Sequence, residues 1–144
     1  VLNRFIVQAV AGIPLTVYGS GSQTRGYINV IDTIKCIKLT LENKPRDGEL
    51  AIYNQFTEQF TVNQLASLVK KSLDSINISA TIKKITNPRI EKEKHYYNAK
   101  HSNIKKMGLQ PVKLSKDIII EIANYVSKHE RNINTKIIQP KVNW

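Results

Sequence analysis

Apolar residues recur along this chain with a helical period in several stretches and collect in short runs between them. Leu2, Phe5, Ile6, Ala9 and Val10 share one helical face, and Gly12 with Pro14 ends that helix. Leu15 and Val17 form an apolar strand, Gly19 to Ser22 a glycine-rich tip, and Tyr27 to Val30 a second short strand. Asp32 is the expected N-cap of a helix over residues 33–41 that buries Ile34, Ile37 and Leu41. A turn at Pro45, Asp47 and Gly48 leads into an expected strand from Leu50 to Asn54.

Thr61 and Gln64 have the spacing of a capping box, and Val62, Leu65, Ala66, Val69 and Leu73 supply the apolar stripe of the helix behind it. Ile78 to Ile85 reads as a strand that stops at Asn87 and Pro88. A weaker helix is expected over Asn98 to Met107, closed by Gly108. A last one runs over about Ser115 to His129 with Ile118, Ile119, Ile122, Ala123 and Val126 inward. The tail from Arg131 to Trp144 has no period. This alternation predicts an α/β fold with a small mixed sheet.

Composition narrows the class. At 144 residues and 41% hydrophobic, the chain has the size and make-up of one globular domain. No apolar run approaches the roughly 20 residues that cross a bilayer, so no membrane partner is expected. The chain opens directly in amphipathic sequence, without a signal core, and beginning inside a helix it reads as part of something longer. One cysteine, Cys36, excludes an internal disulfide, and its setting suggests a small buried hydrophobe.

The net charge of +11 opens the question of nucleic acid or another polyanion. The lysines are scattered, however, with no run of five or six and no aromatic-interleaved basic motif. A solvated basic surface is the expected reading, and it is compatible with a small anionic ligand.

Candidate chemistry centres on Leu15 to Asp32, LTVYGSGSQTRGYINVID. Flexible glycines beside one arginine suit a loop that closes on an anion, because the Arg25 guanidinium matches phosphate oxygens two at a time. By residue type alone, Arg25 could equally brace the loop through backbone carbonyls. Asn54 and Gln55, at the end of the expected strand, could touch a ligand or cap the turn into the next helix. His95 and His101 have no partner at metal-ligand spacing, and Glu91 and Glu93 among lysines mark a solvated face. No metal site is expected. Gly19-Ser20-Gly21-Ser22 lacks the third glycine of a dinucleotide fingerprint and leads into a strand.

The run from Gly12 to Asp32 resembles the substrate-domain signature of extended short-chain dehydrogenases/reductases that act on nucleotide sugars. The wording Gln23-Thr24-Arg25-Gly26-Tyr27, with Asn54 to Phe60, Asn87 to Glu91 and His95 to His101, is similar to the branch of that family that builds a sulfonated sugar nucleotide. The resemblance implies a C-terminal UDP-sugar-binding domain, residues 1–144, of a longer enzyme whose N-terminal Rossmann domain lies elsewhere. It implies UDP-glucose and sulfite as substrates and NAD as cofactor, held by that other domain, with hydride leaving and returning at C4 of the sugar.

Residue by residue, the resemblance gives Thr16, Val17 and Tyr18 to the uridine, Arg25 and Arg89 to the diphosphate, and Gln23 to the sugar or phosphate. Thr24, Asn54, Gln55 and Tyr96 complete its substrate-binding set, and it places no catalytic residue here. Tyr96 and Lys100 spell the family's Y-x-x-x-K, but in the family that pair belongs to the cofactor domain, so they are not assigned to catalysis. The full-length enzyme is expected to be a homodimer in the cytoplasm, or in the plastid of a photosynthetic eukaryote. The piece alone is expected to be monomeric and inactive, with exposed apolar surface. Two alternatives stay open: the substrate domain of a UDP-sugar epimerase or dehydratase, and a non-catalytic polyanion-binding module.

Overall fold

The structure, a computed structural model, describes residues 1–87 and 102–138. They divide into two compact units, one of residues 1–23, 61–87 and 115–138, the other of residues 24–60 and 102–114.

The first unit packs helices α1 (Leu2–Val10), α3 (Val62–Asp74) and α5 (Lys116–Lys128) with the parallel pair β1 (Leu15–Tyr18) and β4 (Ile82–Ile85). Helix α1 ends where expected. Gly12, at φ +67°, turns into the left-handed region, and Ile13 N and Gly12 N donate to the carbonyls of Gln8 and Ala9. Strand β1 follows, with Leu15 opposite Ile82 and Val17 opposite Lys84. Gly19 N continues the ladder to Ile85 O at 2.8 Å. The core is Phe5, Ile6, Ala9, Leu15, Val17, Leu65, Ala66, Val69, Leu73, Ala80, Ile119 and Ala123, all buried. Both halves of the capping box form at α3: the Thr61 hydroxyl accepts from Gln64 N, and Thr61 N donates to Gln64 Oε1. Ser115 caps α5 through Ile118 N, and the Ile78–Ile85 run is regular strand only over its second half. A 3₁₀ turn (Glu130–Asn132) and the short α6 (Thr135–Ile138) follow α5.

The second unit joins β2 (Thr24–Tyr27) to β3 (Glu58–Thr61) and packs α2 (Val30–Glu42) and α4 (Ser102–Lys106) on a small core. Cys36, Ile104 and Leu109 are its buried centre, with Ile28, Leu39, Tyr53 and Met107 around them. Burial, seconded by the Asp32 carboxylate, pushes the Cys36 thiol above its usual range. Gly26 is required because a side chain there would run into the Phe56 ring.

Four expectations need correction here. The second strand is Thr24–Tyr27, not Tyr27–Val30, and it pairs with β3. The cap of α2 is Asn29, whose side-chain oxygen accepts from Ile31 N at 2.9 Å, so the helix starts before Asp32. Asp32 lies inside the first turn, fully buried, and accepts from Val112 N at 2.6 Å and Lys35 Nζ at 2.9 Å. That anchor turns Asp32, Cys36 and Leu39 inward and leaves Ile34, Ile37 and Leu41 exposed, each by more than half. Finally, Leu50 to Asn54 is irregular, with Leu50 and Ile52 exposed, because no described strand pairs with it. Of the helix expected from Asn98 to Met107, the part before Ser102 lies outside the described residues.

Candidate functional site

Strand β1 carries the first group of predicted residues. Leu15 and Val17 face the core, so Thr16 turns its peptide toward α1. There the fully buried Gln8 meets it twice: Thr16 N donates to Gln8 Oε1 at 3.1 Å, and Gln8 Nε2 donates to Thr16 Oγ1 at 2.8 Å. Arg4 Nη2 donates to Thr16 O at 2.7 Å. All three polar groups of Thr16 are therefore engaged within the protein. The Arg4 guanidinium also lies 5.2 Å from the centroid of the half-buried Tyr18 ring, close enough for a cation–π contact.

The glycine loop follows, fastened to the start of α3. Gly21 sits at φ +72°, and a side chain there would collide with Asn63 and Val17. Asn63 N donates to Gly21 O at 3.0 Å, Asn63 Nδ2 to Ser20 O at 2.8 Å, and Val62 N to Gln23 O at 3.2 Å. Gln23 Nε2 reaches back to Tyr18 O at 3.4 Å, while its Oε1 is buried with no hydrogen-bond partner among the described residues.

Thr24, Arg25, Asn54 and Gln55 belong to the second unit. Arg25 is exposed on β2 and donates from Nη1 to Thr24 O at 2.8 Å, which uses one of its five N–H groups. Two residues on, burial raises the Tyr27 hydroxyl above its usual range, against the opposing charge of Arg25. Asn54 and Gln55 sit in the irregular segment after Tyr53, with Asn54 exposed and Gln55 half-buried. Arg89 and Tyr96 lie outside the described residues, as do His95, His101, Glu91, Glu93 and Lys100.

Thus the structure brings Thr16, Val17, Tyr18 and Gln23 together in one unit, around a loop held by Asn63. Sequence reasoning missed Asn63, Gln8 and Arg4. Gln8 left a trace, as a polar residue among the apolar positions of α1. For Asn63 the only trace was its place just after a capping residue.

Among the described residues no three His, Cys, Asp or Glu side chains group as metal ligands. The glycine loop does not have the geometry of a dinucleotide fingerprint. The glycine loop runs into β2, and a pyrophosphate cradle needs a helix N-terminus directly after the glycines. No helix of the described residues is long and apolar enough to cross a membrane.

Comparison with solved structures gives the fold. UDP-glucuronic acid 4-epimerase from Bacillus cereus, in complex with UDP-glucuronic acid and NAD, superimposes with a TM-score of 0.66 at 23% identity, over 89% of this chain and 40% of that one. UDP-N-acetylglucosamine 4-epimerase from Methanobrevibacter ruminantium gives 0.61 at 24%, over 92% and 40%. The fold matches that of a part of these epimerases. In sequence, the chain is similar to UDP-sulfoquinovose synthase. It is 44% identical to the chloroplastic enzyme of Spinacia oleracea over 99% of its own length, and 40% identical to that of Sulfolobus acidocaldarius over 100%. It spans only 30% and 37% of those two relatives, so it corresponds to a part of these enzymes. UDP-glucuronic acid decarboxylase 1 of Danio rerio is 37% identical over 52% of the chain and 17% of its own length. No family model matches.

Proposed function

We propose that this chain is the C-terminal UDP-sugar-binding part of a UDP-sulfoquinovose synthase, which joins UDP-glucose and sulfite with bound NAD. The observation that carries this reading is the 44% identity to such an enzyme across 99% of the chain. Thr16, Val17 and Tyr18 serve the uridine, Arg25 and Arg89 the diphosphate, and Gln23, Thr24, Asn54, Gln55 and Tyr96 the remainder of the substrate. NAD is held by the part of the protein that this chain does not span. That part also covers the exposed stripe of α2 and forms the homodimer, so the chain alone is inactive and monomeric. The Spinacia relative is chloroplastic; a plastid setting is proposed where the source is photosynthetic, and the cytoplasm otherwise.

Calorimetric titration with UDP tests the binding reading. Each charge-assisted hydrogen bond lost is worth about 1.5–3 kcal/mol, so Arg25→Ala is expected to weaken UDP roughly 10- to 100-fold. Unchanged affinity would overturn the assignment of Arg25. The reaction is tested on the full-length protein, where UDP-glucose consumption should require sulfite. Epimerisation or decarboxylation without sulfite would favour the other UDP-sugar enzymes the chain matches.

A further inference from the structure

Helix α2 carries apolar residues on two sides. Cys36 and Leu39 face the small core of the second unit, while Val30, Ile34, Ile37 and Leu41 form a second stripe that stands 51% to 73% exposed. At 1.5 Å per residue that stripe runs about 16 Å, and a helix apolar on both sides is one that is covered on both. The segment after the helix shows the same surplus. From Leu50 to Tyr53 exposure alternates residue by residue: Leu50 is 86% and Ile52 72% exposed, whereas Ala51 is half-buried and Tyr53 packs against Cys36, Ile104 and Leu109. That is the two-residue period of a strand. Yet no backbone hydrogen bond joins these four residues to another described residue. Both rows of side chains are apolar, and strands apolar on both faces belong to sheets covered on both, the parallel sheets of α/β proteins. A helix that leads through a turn into such a strand packs on the sheet that the strand joins.

We propose that Leu50 to Tyr53 joins, as a parallel strand, the edge of an α/β sheet in the part of the protein that this chain does not span, and that the outward stripe of α2 lies on the face of that sheet. This rests on the reading of the chain as part of a longer UDP-sugar enzyme. That reading leaves room for such a sheet, since the chain spans 30% and 37% of the two UDP-sulfoquinovose synthases it matches. Pairing gives the open peptides partners and covers both apolar rows at once. A second copy of this chain is a poorer occupant. It offers only the same lone strand, and two such strands make a ribbon that leaves Leu50 and Ile52 of both copies uncovered.

Hydrogen exchange read by mass spectrometry tests this on the full-length protein and on this chain, each at several concentrations. The amides of Ala51 to Tyr53 are expected to exchange fast in the chain alone and about 100-fold more slowly in the full-length protein. Ile34→Lys and Ile52→Lys, both on the outward rows, should leave the melting temperature of this chain nearly unchanged. In the full-length protein each should lower it by about 5 °C or more. If a lysine variant of the full-length protein does not fold, the wild-type exchange decides. Equally fast exchange in both proteins overturns the inference, as do lysine variants that leave both melting temperatures unchanged. Protection that appears in the chain alone and rises with its concentration also overturns it, and assigns the surface to a second copy. Each of these results leaves the UDP reading standing, provided that the full-length protein binds UDP and responds to Arg25→Ala. A full-length protein that binds no UDP overturns that reading, whatever the exchange at Ala51 to Tyr53.

Discussion

Gln8 shows how much one buried amide can decide. It sits on the inward face of α1 beside Phe5, Ile6 and Ala9, with no exposure at all. Its oxygen accepts from Thr16 N, and its nitrogen donates to Thr16 Oγ1 and to Ile138 O at 3.2 Å. Strand β1 has β4 on one edge, and on the other Gln8 and Arg4 supply the hydrogen bonds that a further strand would give. A buried peptide N–H left without a partner costs about 1–3 kcal/mol, and shortening the side chain leaves a small void as well. Gln8→Ala is therefore expected to lower the unfolding free energy by roughly 2–3 kcal/mol. Urea denaturation would read this as a lower midpoint at unchanged slope; a loss under about 0.5 kcal/mol would mean that water replaces the amide at Thr16.

Among the elements, α1, α3 and α5 were legible from sequence because each combines a clean apolar stripe with an explicit stop or cap: Gly12, the Thr61–Gln64 box, and Ser115. Helix α2 was legible as a helix but not in its rotation. Val30, Ile34, Ile37 and Leu41 have the i, i+4, i+7, i+11 spacing of one helical stripe, so period points to the very face that the structure leaves exposed. The choice is made by Asp32, a charged residue that any hydropathy pattern would place outside, and its 2.6 Å bond from Val112 N is a long-range contact. Leu50 to Asn54 failed for a related reason. Strand propensity needs a neighbouring strand to become a strand, and the described residues offer none. Of the predicted site, the glycine loop and Arg25 were readable as residue types, whereas the clamp from α3 depended on the tertiary approach of Asn63. The rotation of α2 can be tested directly. Ile34→Lys, on the exposed face, is expected to change stability by less than about 0.5 kcal/mol. Ile104→Ala, in the buried centre of the same unit, should cost about 2–5 kcal/mol. A large loss for Ile34→Lys in thermal or urea melts would restore the inward assignment.

At the scale of the whole chain, the +11 charge separates a specific UDP pocket from a general polyanion surface. The ion pairs among the described residues, Lys35–Asp32, Lys38–Glu42 and Lys70–Asp74, each join neighbours on one helix. The two exposed pairs, Lys38–Glu42 and Lys70–Asp74, add little stability, and the scattered lysines are left to set a diffuse positive field. Such a field attracts any anion, and salt screens it. A protein held to DNA by roughly six to ten phosphate contacts loses about 10³–10⁵ in affinity between 50 and 200 mM salt. UDP carries only a few charges, and under the proposed function its binding rests on the Arg25 fork and on uridine contacts that salt does not screen. Over the same salt range UDP affinity is therefore expected to fall by less than about tenfold, while Arg25→Ala removes most of it at either end. A duplex oligonucleotide, if it binds, should lose affinity steeply with salt and barely respond to Arg25→Ala. The reverse pattern, a steep salt dependence for UDP and indifference to Arg25, would assign the binding to the general field and leave the loop without a ligand role.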